Sequence, residues 1–199
     1  MSRFLSTLAF LLLVGLSIAA QDAPVDVAPK PETSTAPYHR GDQAISLGAS
    51  ASIPLAILGG TQSGKLGLGA GFDFSYHYFL DHSWAVGGSV AGDFNGTPAG
   101  YSYFAAPLAA TISYWKAFAP LEAFAELGLG AYLSRLDGKG MLGPFASASA
   151  ALMVQTGSGW SIGLKLSGRV LPEIHAAPYA DLTRTAIFLD TGLIALYHL

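Results

Sequence analysis

From Ala44 to the C-terminus, apolar residues recur at every second position in eight separate segments. Period two is the signature of a strand with two unlike faces, because successive side chains of a strand point to opposite sides. In the first segment Ile45, Leu47, Ala49, Ala51 and Ile53 share one face, and Ser46, Gly48, Ser50 and Ser52 the other. In the second, Leu66, Leu68, Ala70, Phe72, Phe74, Tyr76 and Tyr78 oppose Lys65, Gly67, Gly69, Gly71, Asp73, Ser75 and His77. The same pattern runs over Trp84 to Asp93, Phe104 to Tyr114, Leu121 to Ser134, Ala146 to Gln155, Trp160 to Arg169 and Ile187 to Leu199. The apolar face holds no charged residue, and nearly all the strand charges fall on the other.

Alternation alone does not say which face is inside; charge content does. Only 12% of the residues are charged while 51% are hydrophobic, and an ordinary soluble domain carries roughly twice that charged fraction. A water-soluble barrel needs an outer face rich in Lys and Glu, which this chain lacks. The apolar face is therefore predicted to meet lipid and the polar face to line a lumen. Closure follows, because an open edge in hydrocarbon leaves backbone donors unpaired. The predicted fold is an all-β, eight-stranded antiparallel up-and-down transmembrane barrel over residues 42–199. Eight strands enclose an interior just wide enough for side chains, and the glycines and serines of the inner face make room for a few large ones. Pro107 interrupts the fourth segment; lacking an N–H, it predicts a bulge or a local break.

Residues 1–20 read as a signal peptide, with Arg3, an apolar stretch from Phe4 to Ile18, and small residues at Ser17 and Ala19 before a cleavage site. Residues 21–41, with Pro24, Pro29, Pro31 and Pro37 among polar residues, read as a flexible spacer. Within the barrel, short connections at Asp81 to Ser83, Lys116 to Pro120 and Gly157 to Gly159 are expected to alternate with longer ones. The longer ones span Pro54 to Gly64, Asn95 to Ser102, Arg135 to Leu142 and Leu171 to Thr183. That asymmetry matches periplasmic turns and outer loops. Tyr76, Tyr78, Trp84, Tyr114, Trp115, Trp160 and Tyr197 near the short turns are predicted to form an aromatic girdle, with Phe94, Tyr101, Tyr103 and Phe104 near the other rim.

Little in the chain points to chemistry. The absence of cysteine excludes disulfides, thiolate metal sites and a cysteine nucleophile. His39, His77, His82, His175 and His198 have no zinc-ligand spacing. A net charge of −3 without a basic patch argues against nucleic acid as a partner. No catalytic, cofactor or metal residue is assigned.

These features resemble the small outer-membrane barrel families typified by OmpX, OmpW and the OmpA transmembrane domain. The resemblance covers residues 42–199 and is one of pattern. It departs from them at Leu199, where those families usually end in an aromatic residue. It implies the outer membrane of a diderm bacterium, outer-membrane lipid and the barrel-assembly machinery as partners, and a monomer. The expected role is structural or interactive, extending to binding or passing a small apolar molecule, with no ligand identified. A lipid-modifying enzyme using His175, Asp181, Arg184 and Ser134 at the rim is the alternative, and a secreted lipocalin-like carrier the third. Counting along the strands predicts a lumenal charge network in which Lys165 and Arg169 meet two or more of Asp73, Asp93, Glu126 and Asp190.

Overall fold

The structure, a computed structural model, describes residues 38–59, 66–136, 139–156, 159–174 and 183–199. The predicted signal peptide, most of the predicted spacer, and Lys65, His175 and Asp181 lie outside the described residues. The strands are β1 (Gln43–Gly59), β2 (Gly69–Phe79), β3 (Trp84–Gly96), β4 (Ser102–Phe118), β5 (Leu121–Leu136), β6 (Lys139–Gln155), β7 (Trp160–Glu173) and β8 (Arg184–His198). Each pairs antiparallel with the next, and β1 pairs with β8, so the sheet closes as an up-and-down barrel.

Closure leaves the alternation with a definite sense. Leu47, Phe72, Val90, Leu108, Leu127, Leu152, Leu164 and Leu193 point outward and are exposed. Ser46, Ser75, His77, Asp93, Glu126, Arg169 and Asp190 point inward and are buried. A soluble carrier would have the reverse arrangement. On the outer face Trp84 meets Tyr114 and Trp160 meets Tyr197, with ring centroids 5.2 and 4.9 Å apart. Phe94 and Phe104 meet near the opposite rim.

Several details differ from the sequence reading. The connection expected over Pro54 to Gly64 is strand as far as Gly59, the end of β1. The connection expected over Arg135 to Leu142 is mostly strand: β5 runs to Leu136 and β6 starts at Lys139, paired with it. Trp115 is not a girdle residue. It faces inward, is fully buried, and donates its indole N–H to Ser113 Oγ at 2.8 Å. Tyr38, placed in the spacer, packs within the barrel end at 2% exposure.

Pro107 stays in register with Tyr132 of β5, but the β3–β4 ladder skips from Val90↔Leu108 to Asp93↔Ala105. The proline thus breaks a ladder without shifting it, and the register shift lies instead between Pro54 and Ala56 of β1. Glycine is required where the small barrel bends its strands together. A Cβ at Gly87 would collide with the Tyr76 carbonyl, and one at Gly192 with that of Ala49.

Candidate functional site: the barrel lumen

On β8 the inward face runs from the short-turn end through Leu196, Ile194, Gly192, Asp190 and Phe188; on β5 it runs through Glu122, Phe124, Glu126, Gly128, Gly130 and Tyr132. Summed around the barrel, this gives two apolar clusters with a charged layer between them. The first cluster joins Tyr38, Phe79, Trp115, Phe124, Met153 and Leu196 at the short-turn end. The second joins Ala105, Ala109, Tyr132, Phe145, Leu171 and Phe188 toward the other. Sequence reading missed most of these large inward residues. Their signal was a local loss of alternation, as in Ala123-Phe124-Ala125 and Ala151 to Val154, where both faces are apolar.

Arg169 is the hub of the charged layer. Its Nη2 donates to Asp93 Oδ1 at 2.8 Å, its Nη1 donates to Asp93 Oδ2, and its Nε donates to Asp190 Oδ2. Asp93 lies on β3, across the lumen from β7, and Asp190 lies on the adjacent β8. Lys165, on the same face of β7, donates to Asp73 Oδ2 of β2 at 2.9 Å. Glu126, a candidate partner of Lys165 and Arg169, instead has Oε2 3.6 Å from His77 Nδ1 and accepts from Ser149 Oγ at 3.4 Å. Both Glu126 and Arg169 are 6% exposed, so these charges are held away from bulk water. Charge-assisted bonds in such surroundings are shorter and roughly twice as strong as neutral ones. The cavity among these groups, lined also by Ser50, Ser147 and Ser167, is about 50 Å³. That is room for a handful of waters.

The short-turn end is closed by a second polar set. The Tyr38 hydroxyl donates to Glu122, which also accepts from Gln155 Nε2 at 3.2 Å and lies 3.5 Å from His198 Nε2. The Tyr38 ring stacks on Phe79 at 4.2 Å and meets Trp115 edge-on. His82, in the turn after β2, has Nδ1 2.6 Å from the Tyr38 carbonyl. Burial, with the Glu122 carboxylate beside it, pushes the Tyr38 phenol well above its ordinary range. Asp81 in that turn accepts from the amides of Ser83 and Trp84 at 2.7 and 2.8 Å. Those bonds hold its carboxyl below the usual value.

At the opposite rim Arg184 donates to Glu173. Of the rim residues considered for catalysis, Ser134 lies on β5 and Arg184 on β8, while His175 and Asp181 are outside the described residues. Among the described residues no group of three or more His, Cys, Asp or Glu is arranged to hold a metal ion.

The barrel is similar in fold to two solved structures. One is Neisserial surface protein A (TM-score 0.55, 9% identity, covering 78% of this chain and 96% of that one). The other is the outer membrane protein OprG from Pseudomonas aeruginosa (TM-score 0.54, 9% identity, covering 81% and 97%). In sequence, the chain is 28% identical over 187 residues to an uncharacterized protein of Treponema pallidum (strain Nichols), covering 87% of this chain and 85% of that one. The chain belongs to an uncharacterized protein family whose model matches residues 22–197.

Proposed function

We propose that this protein is a non-conducting, membrane-spanning barrel of an outer membrane, with a structural or interaction role carried by its surface and rim. The observation that supports this reading is the pairing of an apolar outer belt with a lumen closed at both ends by side chains. Leu164 at 65% and Leu127 at 60% exposure are typical of that belt, and hydrocarbon is the solvent in which it is stable. Inside, the Tyr38, Trp115 and Phe124 cluster lies below the charged layer and the Tyr132, Phe145 and Phe188 cluster above it. The charges tie opposite walls together: Arg169 to Asp93 joins β7 to β3, and Lys165 to Asp73 joins β7 to β2.

The test is reconstitution of the full chain into planar bilayers and into vesicles. Heat-dependent gel mobility after detergent extraction reports a folded membrane barrel. Planar-bilayer recording is expected to show no stable porin-sized steps. Large steady conductance from purified monomer, or recovery of the folded protein in the aqueous phase without detergent, would overturn the reading.

A further inference from the structure

Among the described residues, the β6–β7 ladder is the one that ends while both of its strands continue. It stops at Ala146↔Val170, although β6 begins at Lys139 and β7 runs to Glu173. The outer partners of the same two strands hold on: β5–β6 pairing reaches Leu136↔Lys139, and β7–β8 pairing reaches Glu173↔Arg184. The local cause is chemical. Two steps beyond the last pair, the same register sets Pro144 opposite Pro172, and neither has an N–H to donate.

A side chain spans this gap. Tyr132 of β5 passes over Gly143 of β6, and its hydroxyl donates to the Pro172 carbonyl of β7 at 3.1 Å. The crossing needs glycine: a Cβ at position 143 would lie 2.6 Å from the Tyr132 ring and 2.7 Å from the Pro172 oxygen. At the seam a side-chain hydrogen bond from Tyr132 to Pro172 stands where the β6–β7 backbone ladder has ended.

Both sides of the seam are apolar. Tyr132, Phe145, Leu171 and Phe188 back it from within. Leu142 and Ile174 flank it outside, at 68% and 64% exposure. Below it, the ladder resumes at Ala146↔Val170 and the Arg169 cluster forms a charged floor. The polar groups on this path are the Tyr132 hydroxyl and Pro172 carbonyl, already joined to each other, and the Glu173–Arg184 pair at the rim, so the seat beneath them favours a hydrocarbon chain over a polar solute. Neighbouring strands lie about 4.8 Å apart, so parting the pair by about one further strand spacing admits one unbranched chain and excludes a fused-ring lipid.

We propose that a single unbranched acyl chain of the surrounding bilayer enters the barrel between β6 and β7, as Tyr132 releases Pro172, and seats against Phe145, Leu171 and Phe188 above the charged floor. This rests on the membrane-spanning reading above.

The experiment uses the full chain in phosphatidylcholine vesicles containing a fatty acid with a diazirine at its methyl end. After illumination, adducts are mapped by mass spectrometry. Adducts are expected on lumenal Phe145 or Leu171 as well as on outward residues far from the seam, such as Leu108 and Leu127. Tyr132→Phe removes one neutral hydrogen bond and is expected to raise the lumenal adducts about two- to tenfold, leaving those at Leu108 and Leu127 unchanged. In Leu142→Cys/Ile174→Cys, bridging the two thiols with a short bifunctional reagent is expected to abolish the lumenal adducts and spare the outer ones. Outer adducts without lumenal ones, or lumenal adducts that survive bridging, would overturn the portal while leaving the membrane barrel intact. Absence of adducts at Leu108 and Leu127 would overturn the membrane-spanning reading, and the portal with it.

Discussion

Arg169→Met removes the hub of the lumenal charges and keeps an unbranched, uncharged stem in its place. The guanidinium makes three hydrogen bonds, two to Asp93 and one to Asp190. Both carboxylates are buried, at 4% and 5% exposure. Removing one partner of a buried ion pair typically costs about 3–5 kcal/mol, because the remaining charge is stranded. An upper limit comes from neutralisation. A carboxylic acid ordinarily titrates near pH 4, so protonating one at pH 7 costs about 4 kcal/mol, or about 8 kcal/mol for two. The adjoining cavity of about 50 Å³ offers the stranded groups some hydration, which places the expected loss near the lower end, about 3–5 kcal/mol. Urea unfolding of the protein in lipid vesicles, followed by tryptophan fluorescence and by heat-dependent gel mobility, measures it. The companion variant Arg169→Met/Asp93→Asn/Asp190→Asn strands no charge and is expected to recover most of the loss. A loss below about 1 kcal/mol for Arg169→Met, comparable to an exposed pair, would refute the reasoning. So would a triple variant as unstable as the single one.

Further outcomes follow from the same geometry. Arg at outward-facing Leu108 or Leu164 is expected to cost about 2–4 kcal/mol near the bilayer midplane, and Arg at inward-facing Ser89 or Ser167 less; equal penalties in vesicle unfolding would contradict the assignment of faces. Tyr38 keeps its proton in the fold because its phenol is pushed up by burial and by Glu122. The stability it contributes is therefore fully present below its unfolded value of 10.0 and is lost as pH rises through the higher folded value. Proteolysis at Arg40 should accelerate above about pH 10, and in Tyr38→Phe that alkaline step should vanish.

The alternation of residues 44–199 determined the strands, their number and which residues share a face, because side-chain direction in a strand is a local property of the backbone; the low charge content determined which face meets lipid. With so few charges and no polar outer face, closure was also legible, since hydrocarbon tolerates no open edge. The inner charges could be named from sequence for the same reason: they occupy the face that alternation separates from lipid. Their partners could not be named. Lys165 meets Asp73 and Arg169 meets Asp93 across the lumen, and such meetings depend on strand tilt and stagger, which are properties of the closed sheet and not of any one strand. Trp115, by contrast, was legible: it follows outward-facing Tyr114, so the same alternation carries it to the lumen, and only its aromatic character pointed to the girdle. Tyr38 could not be placed because its partners, Glu122 and Phe79, lie on β5 and β2. The facing of Pro144 and Pro172 is the clearest case: each proline is visible in the sequence, but only the register of β6 against β7 sets them opposite one another, where the ladder ends and a side-chain hydrogen bond takes its place.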